Sequence, residues 1–235
     1  MAGQEERTPV FMLTLLACEV ARGSAACLAE ALSGGSSESH AYISEAELRL
    51  DQFDREIDER VTEALSHSPG NARELLACMK FIVDLERIGD LLASVSSCST
   101  GLQRRISTQD MGDLIRMATT LEHMLSDAQT ALANSDLDLV LAVLRADSEL
   151  DRLRNLMLMR HLEGSPETAP HDSIHVVFMA QALERSGDHA KNLAETICHL
   201  VTGKSVRHVS RRDGRSVEQM YLDFLRTRTM ALDLD

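Results

Sequence analysis

Four pairs of acidic residues share one spacing. Glu47 and Asp51, Glu86 and Asp90, Asp147 and Asp151, and Glu184 and Asp188 each stand four positions apart. On an α-helix that spacing puts both carboxylates on one face, a turn from each other. With 37 acidic residues in a chain of 235, a single such pair says little. Repetition in a shared context says more. Leu85-Glu86-Arg87-Ile88-Gly89-Asp90 returns 98 residues later as Leu183-Glu184-Arg185-Ser186-Gly187-Asp188. Glu47-Leu48-Arg49-Leu50-Asp51 returns 100 residues later as Asp147-Ser148-Glu149-Leu150-Asp151. Gathered carboxylates repel one another unless they are protonated, paired or bridged by a cation. An all-oxygen donor set suits hard cations such as Mg, Ca or Mn, and carboxylate-rich sites in helical bundles also hold Fe. The other reading is a solvated acidic margin whose ion-pair partners are Arg49, Arg87, Arg152 and Arg185. Residue types alone leave both open. Asp54 and Asp58 continue the first stripe by two turns, where the second half has Arg154 and Leu158; these extra acids read as an exposed face. Asn192, a turn beyond Asp188, is a further donor candidate, whereas His189 lies about 100° round the helix from Asp188 and reads as a packing or surface residue.

The elements that must carry these pairs are helices. The chain has no Trp, 2 Tyr, 5 Phe and 11 Met, a poor supply of the aromatic side chains that sheets favour. Its 4 prolines and 12 glycines imply few turns. Breaks at 33–37, 66–70, 100–101, 133–135 and 164–170 leave helices at about 8–32, 38–66, 70–99, 108–133, 136–162 and 171–203. Ser68-Pro69 and Ser135-Asp136 are expected helix starts. Apolar positions alternate by four and three along Val176, Ala180, Leu183, Gly187, Ala190, Ala194, Ile197 and Val201, the mark of a packed seam. The same alternation runs through Cys78, Ile82, Leu85, Gly89 and Leu92, and through Ile43 to Ile57 and Leu139 to Met157. Every acidic pair sits one position after a seam residue. Antiparallel neighbours would therefore bring a middle-helix pair toward a last-helix pair, once per half. A glycine inside a helix costs about 1 kcal/mol relative to Ala, so Gly89 and Gly187, both in seams, mark places where a neighbour approaches closely. The expected architecture is all-α: two tandem, similar, antiparallel three-helix bundles at 8–100 and 106–204, with a C-terminal extension at 205–235 that contains Arg207, Arg211, Arg212 and Arg215 and a short helix from Ser216.

Composition also excludes. A net charge of −13 argues against nucleic acid, whose phosphates require cationic partners, and against an anionic membrane surface. Cys18, Cys27, Cys78, Cys98 and Cys198 are odd in number and lack a CxxC, so they read as free buried thiols rather than a disulfide framework or zinc site. The N-terminus lacks a basic signal region, and no apolar run approaches the roughly 20 residues of a bilayer span; the expectation is a cytoplasmic protein that does not span the membrane. No P-loop or G-x-G-x-x-G occurs. A helical di-metal carboxylate enzyme would want E-x-x-H pairs, and the sequence has none, the nearest being Asp172-x-x-His175. The chain is therefore read as no enzyme.

The last helix carries a family resemblance. Leu183-Glu184-Arg185-Ser186-Gly187-Asp188-His189-Ala190-x-Asn192-Leu193-Ala194-Glu195, followed by Leu200-Val201-Thr202-Gly203, resembles the signature helix of PhoU proteins, the phosphate-signalling regulators of bacteria and archaea. The stretch from Asp110 to Arg154, with Leu137-x-Leu139 and Arg145-Ala146-Asp147-x-x-Leu150-Asp151, is similar to the two preceding helices of that family. The resemblance spans roughly residues 10–204 and is stronger in the second half. The first half continues as Leu91-Leu92-Ala93-Ser94-Val95, without the polar pattern, so its site is expected to be the simpler. The acidic F-x-x-E-L opening of the family is missing as well.

The resemblance implies two three-helix bundles that bind metal ions, often as multinuclear clusters. Its ligands here would be Glu47, Asp51, Glu86 and Asp90 in one half and Asp147, Asp151, Glu184 and Asp188 in the other, with Asn192 as an added candidate; the metal would be Fe, Mn, Zn or Mg. It further implies a negative regulator of phosphate uptake and the phosphate-starvation response. Such a protein is an adaptor, often a homodimer, lying in the cytoplasm or peripherally at the membrane. It couples the ATPase subunit of a phosphate ABC transporter to a sensor histidine kinase. A stand-alone regulator of another anion transporter is the alternative within the same resemblance.

Overall fold

The computed structural model describes residues 8–35, 37–67, 71–102, 105–164 and 169–203. Six helices follow in order: α1 Pro9–Leu32, α2 Ser37–His67, α3 Ala72–Ser99, α4 Thr108–Asn134, α5 Leu137–Leu162 and α6 Pro170–Thr202. They match the expected spans to within two residues at either end. Caps explain several starts. Thr8 accepts a hydrogen bond from the Phe11 amide ahead of Pro9, and Ser107 accepts one from Asp110. Asp136 accepts from Asp138 and Leu139 and so opens α5. Ser135 takes a left-handed conformation, φ 56°, and closes α4 instead. The proposed start at Ser68-Pro69 and the whole extension 205–235 lie outside the described residues; α3 opens after Asn71, which makes no side-chain cap.

Helix directions follow from paired contacts. Gly187 faces Leu150, while four residues on, Lys191 meets Asp147, three residues back; α5 and α6 are antiparallel. His40 near the start of α2 bonds Ser96 near the end of α3, so α2 and α3 are antiparallel too. Thr8 bonds Glu74 at the start of α3, which sets α1 and α3 side by side in one direction. The two bundles then join through α1 against α4 and α3 against α6. Gln129 reaches the Leu15 carbonyl while Glu122, seven residues earlier, meets Arg22, seven residues later. Asp84 meets His189, and Cys98, fourteen residues on, meets His175, fourteen residues back. Both joints are thus antiparallel. One apolar core runs through all six helices, and the seam residues Ile43, Leu50, Leu85, Leu92, Val143, Leu150, Leu183 and Ala190 are fully buried within it.

One expectation needs correcting. α1 is 24 residues long with a peak mean hydropathy of 1.5, enough by length and composition to cross a membrane. Much of its apolar surface is nevertheless taken up inside the molecule, with Met12 and Leu16 left exposed. Phe11, Ala17, Ala21, Ala25 and Leu28 are buried, and α1 packs against α2, α3 and α4 at once. A helix surrounded on three sides must be apolar nearly all round. None of the five cysteines forms a disulfide among the described residues, and Cys18, Cys78 and Cys198 are buried. Burial, with Cys78 beside it, holds the Cys18 thiol far above its ordinary range.

Candidate metal centre

The acidic pairs are placed by two identical locks. A Cβ on Gly89 would lie 2.6 Å from Leu50 Cδ1, and one on Gly187 would lie 2.3 Å from Leu150 Cδ1. Both distances are well inside van der Waals contact, so glycine at these seam positions is what lets a leucine of the middle helix seat against the last helix. Each leucine immediately precedes the second acidic residue of its pair, Asp51 or Asp151. The lock therefore sets the carboxylates of α2 opposite those of α3, and those of α5 opposite those of α6.

In the first half, Glu47 and Asp51 of α2 and Asp90 of α3 each offer a carboxylate oxygen within 4.8 Å of the others. Among the described residues this is the one group of three acidic or other metal-ligating side chains so gathered. All three are half-buried, as is Glu86 beside them. Burial raises the Glu47 carboxyl above its usual range, reinforced by the charges of Asp51 and Asp90. Burial likewise raises Glu86, with Asp90 adding to the effect, Arg87 opposing it, and Asp51 and Asp54 contributing further repulsion. Asp54, read from sequence as an exposed extra, is half-buried; burial and then Asp58 and Asp51 raise it. The cation at hand is Arg87, whose Nε lies 3.3 Å from Glu86 and whose Nη1 lies 3.1 Å from Asp90. It is more than half exposed, and an ion pair of that kind is worth little. The first half is thus a cluster of carboxylates short of positive charge.

The second half has the same backbone lock and different chemistry. Arg154 Nη2 donates to Glu184 Oε1 at 2.7 Å and lies 3.7 Å from Asp151. Gln181 Nε2 donates to the other Glu184 oxygen at 2.6 Å. Lys191 Nζ lies 2.5 Å from Asp147 Oδ2. Asp147 and Glu184 are buried, whereas Asp151 and Asp188 face solvent. Burial raises the Asp147 carboxyl more than Lys191 lowers it. Asn192 turns away from this cluster; its amide donates at 3.1 Å to Asp84 of α3, and His189 bonds the same Asp84 oxygen at 2.8 Å. These two residues, singled out beside the acidic motif, bridge the two halves instead.

Among the described residues, Arg87 is the one member of the suggested ion-pair set that meets an acidic pair; Arg152 reaches Glu149 instead, at 2.7 Å. Arg154 and Lys191 were not foreseen as partners. The signal was present: Arg154 stands 100 residues after Asp54, and Lys191 stands 98 residues after Ala93, so each breaks the internal repeat with a positive charge. The expectation that the first half carries the simpler site came from its apolar Leu91–Val95 stretch, yet that half gathers the carboxylates more densely.

The donor set of the first half fits a hard cation: oxygen ligands, partial burial and excess negative charge. Comparison with known proteins places the chain among relatives. The PhoU domain family model matches the chain twice, over residues 17–98 and 114–197. The phosphate-specific transport system accessory protein PhoU homolog of Pseudomonas putida is 30% identical over 182 residues, covering 71% of this chain and 68% of that protein. PhoU homolog 1 of Thermotoga maritima is 28% identical over 177 residues, covering 72% and 75%. The crystal structure of PhoU from Pseudomonas aeruginosa superposes with a TM-score of 0.75 at 25% identity, covering 83% of this chain and 96% of that one. That of the phosphate transport system regulatory protein PhoU from Streptococcus pneumoniae has a TM-score of 0.74 at 18% identity, over 83% and 95%, and speaks for the fold alone.

Proposed function

The chain belongs to the PhoU family, and on that premise we propose that it is a metal-dependent adaptor that negatively regulates phosphate uptake and the phosphate-starvation response. In this reading it works in the cytoplasm between the ATPase subunit of a phosphate ABC transporter and a sensor histidine kinase, and performs no catalysis of its own. Support for the transport side comes from relatives named as accessory proteins of a phosphate-specific transport system. The observation that carries the metal part is the convergence of Glu47, Asp51 and Asp90 from two helices.

Glu47, Asp51 and Asp90 would hold the ion, with Glu86 at the rim. The bound cation, Fe, Mn, Zn or Mg, would supply positive charge and a Lewis-acidic point on an otherwise acidic face. The chain's own contribution is to hold the carboxylates together. The Gly89–Leu50 lock fixes the spacing of α2 and α3, and the buried seam below keeps the cluster from spreading to relieve repulsion. An anion such as phosphate would be repelled by these carboxylates unless a metal stood between. Large apolar side chains exposed on neighbouring turns, Leu156 and Met159 on α5 and Ile174 and Phe178 on α6, offer surface for a protein partner.

The test is complementation. A strain lacking this chain should express a phosphate-starvation reporter in high phosphate. The parent chain should restore repression, and the Asp51→Asn/Asp90→Asn variant should fail to do so at equal protein level. Full repression by the variant would separate the metal cluster from regulation; no effect of the deletion on the reporter would remove phosphate signalling from the account.

A further inference from the structure

We propose that Arg154 and Lys191 are built-in substitutes for a metal ion in the second half, so that this chain binds metal in its first half only. The inference rests on the metal reading of the first half given above.

The two halves permit a position-by-position comparison, because the same Gly–Leu lock sets both in register. Where α5 presents Arg154 to Glu184, α2 presents Asp54 toward Glu86, close enough to raise it by repulsion. Where α6 presents Lys191 to Asp147, the corresponding residue of α3 is Ala93, which carries no charge. One half therefore holds five carboxylates, Glu47, Asp51, Asp54, Glu86 and Asp90, against the exposed guanidinium of Arg87, with Arg55 acting on Asp54 alone. The other holds four, Asp147, Asp151, Glu184 and Asp188, against the guanidinium of Arg154 and the ammonium of Lys191.

These cations are not surface decoration. Arg154 is mostly buried, and its Nε is buried without a hydrogen-bond partner among the described residues, so the guanidinium is inserted between the helices. Both oxygens of Glu184 already accept a hydrogen bond, one from Arg154 and one from Gln181. A metal ion entering here would have to displace a guanidinium that cannot lose its charge by deprotonation and settle beside an ammonium. A buried carboxylate needs a positive partner or hydrogen-bond donors. In this half the polypeptide supplies them permanently; in the first half it leaves the place to an ion from solution. The second half would then hold a constant structure whatever the metal supply, and only the first half would report on it.

The experiment is a Mn2+ titration of the full chain, stripped with chelator, with free Mn2+ counted by its EPR signal and folding checked by circular dichroism. Three sets of variants decide it. Asp51→Asn/Asp90→Asn should weaken Mn2+ binding at least 100-fold, and Asp147→Asn/Asp188→Asn should leave it within 3-fold of the parent. Arg154→Asp/Lys191→Ala, which installs the first-half residues at both positions, should add Mn2+ equivalents that Asp147→Asn/Asp188→Asn then removes; Arg154→Leu/Lys191→Ala serves if the Asp variant does not fold. Loss of parent binding in Asp147→Asn/Asp188→Asn would overturn the proposal, as would folded Arg154 and Lys191 variants with no added Mn2+. A parent that binds nothing while the Arg154/Lys191 variant gains sites would overturn metal binding in the first half, and with it the first-half-only claim, while leaving standing the substitution of Arg154 and Lys191 for an ion in the second.

Discussion

At the residue scale, the cluster of Glu47, Asp51 and Asp90 is held together against its own charge. Without metal, that repulsion should count against folding. Changing Asp51→Asn/Asp90→Asn removes two of the charges while keeping the shapes. In chelator, we expect the variant to be more stable than the parent by roughly 1 kcal/mol, or about 2–4 °C in a chain of this size. The order should reverse when Mn2+ is added, since ligand binding to the folded state stabilises it by mass action. Thermal melts with and without metal check both signs, and a variant less stable than the parent in chelator would mean that the carboxylates are stabilised by something other than a metal ion, Arg87 first. The individual acids were legible in the sequence because the spacing and the repeat single them out. Their state was not. Whether Glu184 meets a metal or Arg154 depends on which side chain projects across from α5, and seam periodicity gives the face of a helix without its partner residue.

At the element scale, two interior glycines make the acidic pairs meet. Their effect is expected to differ in sign from that of an open glycine in the same fold. Gly112 of α4 has nothing within 4 Å of where a Cβ would stand, so Gly112→Ala should stabilise by about 0.5–1 kcal/mol through helix propensity alone. Gly187→Leu must push aside Leu150, which is completely buried, and should destabilise by about 3 kcal/mol. Urea denaturation of the two variants measures both. A Gly187→Leu protein as stable as the parent would show that α5 and α6 need no close approach. Helix spans were read from sequence almost to the residue because Gly, Pro, Ser and Asn punctuate them cleanly. The exceptions are instructive. Ser135 was grouped with Asp136 as a helix start, but the sequence could not separate the residue that ends α4 in a left-handed turn from the one that caps α5. α1 also escaped the membrane-length reckoning, because Glu19 and Arg22 interrupt its apolar run while leaving its mean hydropathy high.

At the scale of the whole molecule, the two repeats are not independent. Their cores merge through α1 with α4 and α3 with α6, and Asp84 in the first half is held by His189 and Asn192 of the second. That bridge is asymmetric. Counting 98 positions across the repeat, Asp84 corresponds to Ala182, and His189 and Asn192 correspond to Leu91 and Ser94. A buried carboxylate with two donors is a specific joint, and Asp84→Ala would strand both donors at a cost of about 1–3 kcal/mol. The chain should therefore unfold as one cooperative unit, with calorimetric and van't Hoff enthalpies in agreement; two resolved transitions would show that the halves are separate folding units. The repeat itself, and so the two-bundle plan, was plain in the sequence. The joint between bundles was not, because His189 and Asn192 lie so near the acidic motif that they invite assignment to it.

The central claim is that this PhoU-family chain carries a metal centre on Glu47, Asp51 and Asp90. Elemental analysis of untagged protein, purified without chelator, tests it most directly when run beside a folded Glu47→Gln/Asp51→Asn/Asp90→Asn variant. We predict stoichiometric Fe, Mn, Zn or Mg in the parent and its loss from the variant. Equal metal in both, or none in either, would contradict the claim and leave the carboxylates as an acidic margin on a helical interaction protein.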